Sequence, residues 1–280
     1  MKVGLLGNGI GRSRAKHLHE LIGEQLGHPL TYVPMDLESR GRVSLADELT
    51  RCENAGFAGV NVTNPYKSEA FLAVHRTVSM PDGLTSVNTV LFREDGWTGT
   101  NTDCSGFVRA FRSGFGADAQ PGRVLIAGAG AGGVGKAIAF ALQELGAVEL
   151  AIHDTAPMAA RALASELDTC GQRARVTTDL AAEMRSADGL VNATPVGMFQ
   201  YPGCVFPSSG LEDQRWAFDA VYTTEHTDFL LACAGRGIAV LSGFKLFLYQ
   251  GLDAWQHFTG VAADAGSIER AFLRRYGSAG

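Results

Sequence analysis

Short apolar runs alternate along this chain with longer mixed segments, and the alternation predicts strands separated by helices. The predicted strands are 3–6, 31–35, 57–63, 86–92, 97–102, 123–127, 148–152, 175–177, 190–191, 216–222 and 238–241. The predicted helices are 15–26, 45–55, 68–75, 105–115, 136–145, 158–167, 228–234, 246–258 and 267–276. Strands interleaved with helices in this way predict an α/β fold.

A second structural unit is predicted to begin near residue 105. It opens with the predicted helix 105–115, and a polar connector at 116–122, which carries Gly and Pro, leads from that helix to the apolar strand 123–127. At 280 residues the chain is long for a single core, which agrees with two domains.

Composition and charge narrow the classes of partner. The 24 Lys and Arg residues are outnumbered by 29 Asp and Glu residues, and no basic tract occurs, which argues against nucleic acid and anionic membranes. Residues 1–7 form neither a signal peptide nor a membrane span. Five scattered cysteines without a CxxC pair argue against disulfides and structural zinc, and they fit a reducing cytoplasm.

The loop after strand 123–127 is rich in glycine and leads directly into a helix. Strand, glycine turn and helix form the dinucleotide-binding fingerprint, because glycines let the pyrophosphate approach the backbone and the helix start offers unpaired N–H groups. Two frames fit the spacing, residues 128, 130 and 133 or residues 130, 132 and 135. We favour the second frame, which leaves the helix start and the next acidic residue at the expected spacing. A tight glycine turn without a ligand is the alternative.

Asp154 ends the following strand, about 20 residues after the glycine loop, as the fingerprint requires. A carboxylate there accepts hydrogen bonds from the adenosine ribose hydroxyls and repels a 2′-phosphate, which favours NAD over NADP. No arginine stands beside it to bind that phosphate, and Arg161 lies further along in the next helix. A helix cap is the alternative role for Asp154, although Pro157 already marks the helix start.

Lys67 follows a strand and an Asn64-Pro65 break, since the residue before a proline avoids the helical region. Taken alone, Lys67 is a solvated surface lysine, and Asp103 is a cap for the helix 105–115. Together, a lysine and an aspartate form a couple that exchanges a proton with an alcohol oxygen. Transfer of a hydride from an alcohol to NAD requires such a proton acceptor.

Seven motifs follow one another in a single order that spans essentially the whole chain. They are Asn61-Val62-Thr63-x-Pro65-x-Lys67, Asn88-Thr89, Gly99-x-Asn101-Thr102-Asp103-x-x-Gly106, the glycine loop, Asn192-Ala193-Thr194-x-x-Gly197-Met198, Asp219-x-x-Tyr222 and Gln250-Gly251. In this order they resemble the shikimate/quinate dehydrogenase family. The resemblance implies two α/β domains with a cleft between them. These are a catalytic, substrate-binding domain of residues 1–105 plus 246–280 and a Rossmann NAD-binding domain of residues 106–245.

The resemblance also implies a set of site residues. Lys67 and Asp103 correspond to the family's catalytic pair. The implied substrate-binding residues are Ser13, Asn61, Thr63, Asn88, Tyr222 and Gln250. With the glycine fingerprint, the predicted cofactor-binding residues are Gly130, Ala131, Gly132, Gly133, Val134, Asp154, Ala193, Thr194, Pro195, Val221, Gly243 and Leu246. No metal site is predicted, because His17 and His19 are two residues apart and do not share a helix face.

One departure from the family pattern concerns the substrate. The family's N-terminal loop carries two hydroxyls that bind the substrate carboxylate, whereas here Ser13 is kept and Ala15 replaces the second. Losing one hydrogen bond to a charged group costs about 1.5–3 kcal/mol, so either the substrate differs or a nearby cation binds the carboxylate. The candidate cations are Arg12, Arg14 and Lys16.

A second departure concerns the cofactor. The strand end reads His153-Asp154-Thr155 where NADP-using members have Asn-Arg-Thr, and this is closer to NAD-using, quinate-type members. The glycine loop is also two residues longer than usual.

We therefore predict an NAD-preferring, cytoplasmic dehydrogenase that reversibly oxidises a ring hydroxyl of a quinate- or shikimate-like cyclohexane or cyclohexene carboxylate. NADP is the less favoured cofactor. The partner is a small-molecule substrate, without nucleic acid or membrane, and the protein is a monomer or a homodimer. Three alternatives stay open: a dehydrogenase of another cyclitol or an aminoshikimate-like acid, a dehydrogenase of a polyol without a carboxylate, and a catalytically idle NAD-binding or sensing protein.

Overall fold

The computed structural model describes residues 1–41, 43–130, 132–222 and 226–277. The chain divides into two compact units. Unit 1 consists of Met1–Met80, Thr85–Gly106 and Leu248–Gly277, and unit 2 of Pro81–Leu84 and Phe107–Phe247. The functional domains predicted at 1–105 plus 246–280 and at 106–245 stay a prediction, because compactness assigns no role to either unit.

Strands and helices alternate along the described residues. The strands are β1 (Lys2–Gly7), β2 (Thr31–Asp36), β3 (Gly59–Val62), β4 (Arg76–Thr77), β5 (Thr89–Arg93), β6 (Gly96–Thr100), β7 (Arg123–Ala127), β8 (Glu149–His153), β9 (Ala174–Val176), β10 (Gly189–Asn192), β11 (Trp216–Asp219) and β12 (Ala239–Ser242). The helices are α1 (Ala15–Gln25), α2 (Leu45–Asn54), α3 (Lys67–Ala73), α4 (Thr102–Phe115), α5 (Gly133–Glu144), α6 (Pro157–Thr169), α7 (Leu180–Ser186), α8 (Asp228–Ala234), α9 (Gly243–Thr259) and α10 (Ala265–Tyr276). The predicted α/β class is confirmed.

Unit 1 is built on a mixed six-stranded sheet with the order β2-β1-β3-β5-β6-β4. β1 runs parallel to β2 and β3, whereas β5 runs antiparallel to β3 and β6. The carboxyl ends of β1 and β3 therefore meet at one edge. There the Asn8 amide donates to the Asn64 carbonyl at 3.0 Å, which joins the loop after β1 to the lysine turn after β3.

Helix α2 shows how the core of unit 1 forms. Leu45, Leu49 and Cys52 recur at helical spacing and are at most 3% exposed. They pack in one cluster with Leu6 of β1 and Val60 of β3. An apolar stripe of this width is typical of a helix that lies on a sheet.

Unit 2 is built on a six-stranded sheet in which every pair is parallel, with the order β12-β11-β10-β7-β8-β9. Counted within the unit and read from β9, this is the order 3-2-1-4-5-6 of a doubly wound dinucleotide-binding fold. β10 and β11 are buried along their whole lengths, as expected for central parallel strands covered by helices on both faces. The predicted Rossmann fold is confirmed.

Several predicted boundaries were wrong by a few residues, and one helix was missed. α4 begins at Thr102 rather than at 105, and α9 begins at Gly243 rather than at 246. The seven-residue helix α7 was not predicted; Asp179 caps it by accepting the Ala182 amide. No helix in the described part of the chain combines the length and apolar character needed to cross a membrane.

Candidate active site and nucleotide-binding site

The turn after β3 holds Lys67 by its backbone. The peptide between Asn64 and Pro65 is cis, and α3 begins at Lys67 itself. The Lys67 carbonyl accepts a hydrogen bond from the Val87 amide at 2.9 Å. Tyr66, one residue earlier, is only 6% exposed and anchors the turn in the core. The lysine side chain therefore starts from a fixed backbone position.

Asp103 lies in the first turn of α4, but it does not cap the helix. Asn101 is the cap: its Oδ1 accepts the Cys104 amide at 3.1 Å, and its Nδ2 donates to the Ser86 carbonyl at 2.7 Å. The interpretation of Asp103 as a cap was therefore wrong. Its carboxylate instead accepts a hydrogen bond from Lys67, with Nζ 2.6 Å from Oδ2. The two side chains are 14% and 11% exposed, so the pair is largely shielded from water.

Asn88 is oriented by three hydrogen bonds to one atom. Its Oδ1 accepts from the Thr102 amide at 2.8 Å, from Thr102 Oγ1 at 3.2 Å and from Thr89 Oγ1 at 3.1 Å. Because the oxygen is occupied, the amide nitrogen is the side of Asn88 that remains for a ligand, and no described residue accepts from it. Thr89 and Thr102 were not predicted as site residues, although both lie inside quoted motifs.

Asn61 belongs to the same buried network. Tyr32 Oη donates to Asn61 Oδ1 at 2.8 Å, and Asn61 Nδ2 donates to Thr89 Oγ1 at 3.0 Å. The sequence interpretation missed Tyr32, which is distant along the chain and carries no motif. Thr63 packs its methyl group over Gly7, where any Cβ would overlap it.

The loop before α1 contains the candidate partners of a substrate carboxylate. Ser13 Oγ accepts the Ala15 amide at 3.3 Å, which leaves its own proton to be donated elsewhere. Arg14 donates to the carbonyls of Tyr276 and Gly277 at 3.2 and 2.9 Å, so its guanidinium is committed to the end of α10. Of the three candidate cations, Arg14 is thus the least suited to bind a carboxylate.

The remaining predicted substrate residues lie on α9 and before α8. Gln250 lies where α4 and α9 pack closely, since a Cβ at Gly106 would be 2.6 Å from the backbone nitrogen of Gln250. Tyr222 belongs to unit 2 and stacks on Phe247 with ring centroids 5.4 Å apart. Their roles toward substrate stay predictions.

The two histidines of α1 have aromatic partners. His17 stacks on Tyr276 and His19 on Tyr32, each with ring centroids 4.7 Å apart. Burial lowers the pKa of His19 to about 3, so this ring is neutral. Within the described ranges, no group of three His, Cys, Asp or Glu side chains is arranged to hold a metal ion.

The glycine loop of unit 2 fits a dinucleotide by its shape. A Cβ at Gly130 would lie 2.5 Å from the Ala160 amide nitrogen, and one at Gly135 would lie 2.6 Å from Ala129 Cα. These two glycines therefore permit close packing of α6 and α5. At Gly132, by contrast, the nearest atom is 3.4 Å away and no side chain caps α5. An open backbone at a helix start with unpaired N–H groups suits a pyrophosphate, and it supports the frame 130, 132 and 135.

The other predicted cofactor positions lie in the glycine loop, at the start of α5, or after β10, β11 and β12. Gly133 begins α5 and Val134 follows it. Ala131 lies outside the described residues. The Ala193 amide donates to the Ala127 carbonyl at 2.8 Å, which ties the end of β10 to β7. The further predicted positions Thr194, Pro195, Val221, Gly243 and Leu246 all belong to unit 2.

Asp154 follows β8 and is half-buried. Its Oδ2 accepts the Gly130 amide at 2.8 Å and its Oδ1 accepts the Ala156 amide at 2.8 Å. It is not the cap of α6, because Ala156 occupies the cap position and Pro157 the first helical position. Asp154 therefore joins the glycine loop to the segment before α6, and its role toward the adenosine ribose stays a prediction.

Comparison with known proteins agrees with this geometry. Residues 5–90 match the family model of the shikimate dehydrogenase substrate binding domain. The chain is 39% identical over 279 residues to the shikimate dehydrogenase (NADP(+)) of Arthrobacter sp. (strain FB24), which covers 97% of this chain and 94% of the relative. This chain belongs to the shikimate/quinate dehydrogenase family. The resemblance predicted from the seven motifs is confirmed.

Two further similarities involve NAD-linked members of the family. The chain is 35% identical to the quinate/shikimate dehydrogenase (NAD(+)) of Corynebacterium efficiens, with 97% of each chain covered. Among solved structures, the quinate dehydrogenase from Corynebacterium glutamicum in complex with NAD superposes with a TM-score of 0.90 at 33% identity, covering 98% of this chain and 99% of that one. The family thus includes relatives named for either cofactor.

Proposed function

We propose that this protein is an NAD-preferring dehydrogenase that interconverts a ring hydroxyl and the corresponding ketone on a quinate- or shikimate-like cyclohexane or cyclohexene carboxylate. The observation that carries the proposal is the 2.6 Å contact between Lys67 Nζ and Asp103 Oδ2. It occurs in a chain whose relatives are named as shikimate and quinate/shikimate dehydrogenases.

Lys67 is the proposed acid and base. During oxidation the hydroxyl proton must leave the substrate oxygen as the adjacent C–H bond breaks, and the Lys67 amine accepts that proton. In the reverse direction the Lys67 ammonium donates a proton to the ketone oxygen. Asp103 holds the Lys67 nitrogen in one orientation, and the low exposure of the pair excludes competing water. NAD, when bound, supplies the hydride acceptor.

The polar residues of unit 1 are the proposed substrate contacts. Asn88 is set to donate from its amide nitrogen, which suits a ring hydroxyl oxygen as acceptor. Asn61, Thr63 and Gln250 are proposed to bind the remaining hydroxyls. The Ser13 hydroxyl is proposed to donate a hydrogen bond to the substrate carboxylate. Ala15 cannot add the second such hydrogen bond, because it has no hydroxyl.

Unit 2 is the proposed NAD-binding unit. The glycine loop and the start of α5 would hold the pyrophosphate, and Asp154 would accept from the adenosine ribose hydroxyls. The same carboxylate repels the 2′-phosphate of NADP. Because the names of the relatives are divided between the two cofactors, the preference for NAD rests on Asp154.

Steady-state rates with quinate and shikimate, each measured with NAD and with NADP, test this proposal. We expect kcat/KM to be higher with NAD. Asp154→Asn should lower the NAD to NADP ratio of kcat/KM at least about tenfold, because a hydrogen bond to a charged group contributes about 1.5–3 kcal/mol. Asp188→Asn is the control, since Asp188 lies before the amino end of β10, whereas Asp154 follows the carboxyl end of β8 in the same sheet. A higher kcat/KM with NADP in the unaltered enzyme would reject the cofactor preference, and no turnover of any cyclitol acid would reject the dehydrogenase.

We further propose a cytoplasmic location. All five cysteines are free thiols, and a reducing compartment preserves such thiols. A monomer or homodimer stays a prediction, which sedimentation equilibrium of the purified protein measures.

A further inference from the structure

A buried cluster of polar side chains lies at the carboxyl ends of β10 and β11. Asn192 is the last residue of β10, Asp219 is the last residue of β11, and the two pair in parallel register. Thr227, the cap of α8, completes the cluster. The three residues are 1%, 0% and 2% exposed. We call Asn192, Asp219 and Thr227 the strand-end cluster.

Asp219 accepts three hydrogen bonds within and beside this cluster. Asn192 Nδ2 and the Val221 amide donate to its Oδ1 at 2.9 and 3.0 Å, and Thr227 Oγ1 donates to its Oδ2 at 2.7 Å. Among the described residues no cation pairs with this carboxylate. Burial raises the pKa of Asp219 to about 6, which expresses the cost of keeping a charge there. The carboxylate is therefore held by three hydrogen bonds and not by an ion pair.

The first loop held by the cluster is 193–196. Asn192 Oδ1 accepts from the Thr194 amide at 3.0 Å and from Thr194 Oγ1 at 2.6 Å. Asn192 Nδ2, besides its bond to Asp219, donates to the Val196 carbonyl at 2.9 Å. Since Asp219 holds one hydrogen of this amide and Val196 the other, the carboxylate determines how the Asn192 side chain faces the loop.

The second loop held by the cluster is 220–222. Asp219 binds the Val221 amide directly. Gly243 packs closely against this loop. A Cβ at Gly243 would lie 2.6 Å from the Val221 carbonyl oxygen and 2.7 Å from the Ala220 carbonyl oxygen. The segment therefore has little room to move once the carboxylate bond is made.

The sheet order indicates which half of a dinucleotide these loops face. In a doubly wound sheet of order 3-2-1-4-5-6, two mononucleotide-binding halves meet at the point where the order reverses. Here β7, β8 and β9 form one half and β10, β11 and β12 the other. Asp154, the proposed partner of the adenosine ribose, directly follows β8, the second strand of the first half. The carboxyl ends of β10 and β11 therefore belong to the half of the fold that would bind the nicotinamide half of the dinucleotide.

We propose that Asp219 is a positioning residue for the nicotinamide half of NAD, acting through Asn192 and Thr227. The strand-end cluster holds the loops 193–196 and 220–222 in one conformation before the cofactor arrives, so binding does not have to order them. This inference rests on the proposed function, since it takes NAD as the cofactor.

Dissociation constants for NAD and for ADP-ribose, measured by calorimetry on the full chain, test this role. ADP-ribose lacks only the nicotinamide ring, so the two ligands separate the halves of the site. We expect Asp219→Ala to weaken NAD binding at least about tenfold and to change ADP-ribose binding by less than about twofold. Asp219→Asn keeps the shape and one acceptor, and it should restore most of the NAD affinity. Thr227→Val removes one donor to Asp219 and should cause a smaller loss of the same kind, which gives a second variant if Asp219→Ala does not fold.

Asp188→Ala is the matched control. Asp188 accepts from the Arg123 amide at 2.8 Å and from Arg215 Nε at 3.1 Å, and so joins strands of the same sheet at their amino ends. This variant should change neither dissociation constant. Equal weakening of NAD and ADP-ribose by Asp219→Ala, or no weakening of NAD, overturns the proposal.

The outcome for the unaltered protein keeps the two proposals apart. If it binds NADP and not NAD, the proposed cofactor preference fails, and the same comparison of NADP with 2′-phospho-ADP-ribose still decides the role of Asp219. If it binds neither dinucleotide, both the proposed function and the role of Asp219 are wrong.

Discussion

Asp103 lies where a carboxylate is favoured by the dipole of α4, but Asn101 makes the capping hydrogen bond in its place. This division of labour matters for the chemistry. A capping carboxylate is occupied by backbone N–H groups, whereas Asp103 directs Oδ2 to the Lys67 nitrogen. Because Asn101 makes the capping hydrogen bond, the Asp103 carboxylate remains available to Lys67, the proposed acid and base.

Lys67→Met tests the proposed acid and base, because methionine keeps the length of the side chain and cannot accept a proton. We expect kcat for quinate oxidation to fall about 10²- to 10⁴-fold, the usual contribution of general acid–base catalysis, with a much smaller change in KM. Lys2→Met is the control, since the Lys2 nitrogen lies over the Phe57 ring at 4.1 Å and outside the site. A kcat within tenfold of the unaltered enzyme would remove Lys67 from proton transfer.

Asp219 should give the fold a characteristic pH dependence. Its pKa is raised by burial from 3.8 to about 6, so the folded state holds the proton more tightly than the unfolded state. The resulting stabilisation is fully present below pH 3.8 and is lost as the pH rises through about 6. A shift of roughly two pKa units corresponds to about 3 kcal/mol.

Urea unfolding of the unaltered protein and of Asp219→Asn between pH 4 and 7 measures this effect. The free energy of unfolding of the variant, relative to the unaltered protein, should rise with pH by up to about 3 kcal/mol. Burial raises the pKa values of the nearby Cys204 and Cys233 thiols, so neither titrates in this range. A difference that does not change with pH would show that Asp219 titrates normally in the folded protein.

At the scale of elements, the glycine loop joins β7 to α5 by two kinds of glycine. Gly135 is needed for packing, because α5 cannot approach the strand end with a Cβ at that position. Gly132 has extended backbone angles that any residue adopts and open space around it. Its proposed role is therefore toward the pyrophosphate alone.

Gly135→Ala and Gly132→Ala should separate stability from binding. Gly135→Ala should lower the unfolding temperature, since overpacking costs typically about 1–3 kcal/mol. Gly132→Ala should leave the unfolding temperature nearly unchanged and weaken NAD binding. Thermal unfolding and calorimetric titration with NAD measure the two effects. Normal NAD binding by Gly132→Ala would favour the other glycine frame, residues 128, 130 and 133.

At the scale of the whole molecule, the predicted residues divide between the two units. Lys67, Asp103 and Asn88 belong to unit 1, and the glycine loop and Asp154 belong to unit 2. Apart from Tyr222, a predicted substrate residue that belongs to unit 2, this division accords with one unit for the substrate and one for the cofactor. The assignment of these roles is open to direct measurement.

Hydrogen exchange with each ligand alone tests the assignment. Quinate should protect amides in 61–67 and 88–103, and NAD should protect amides in 128–135 and 192–197, because bound ligands suppress local opening. Peptides from α10 provide the internal control and should not change. Protection by NAD confined to unit 1 would contradict the predicted domains.

Local pattern was enough for the α/β class of this protein, and short ordered motifs were enough to single out the predicted catalytic pair. Alternating apolar segments determined the α/β class, because strand and helix propensity depend on neighbours within a few residues. Glycine spacing predicted the nucleotide-binding loop, since the backbone conformation it needs is a local property. Lys67 and Asp103 were found through ordered motifs, each of which is a short string of residues.

Only the tertiary structure decided how the polar groups are used. The orientation of the Asn88 side chain depends on Thr102, 14 residues away. The orientation of the Asn192 side chain depends on Asp219, 27 residues away. The sequence made Arg14 a candidate partner for the substrate carboxylate. The structure makes it the least suited of the three cations, because its guanidinium donates to the Tyr276 carbonyl, 262 residues away. Hydrogen bonds between distant residues have no local signature, because the fold and not the chain sequence brings their atoms within 3 Å of one another.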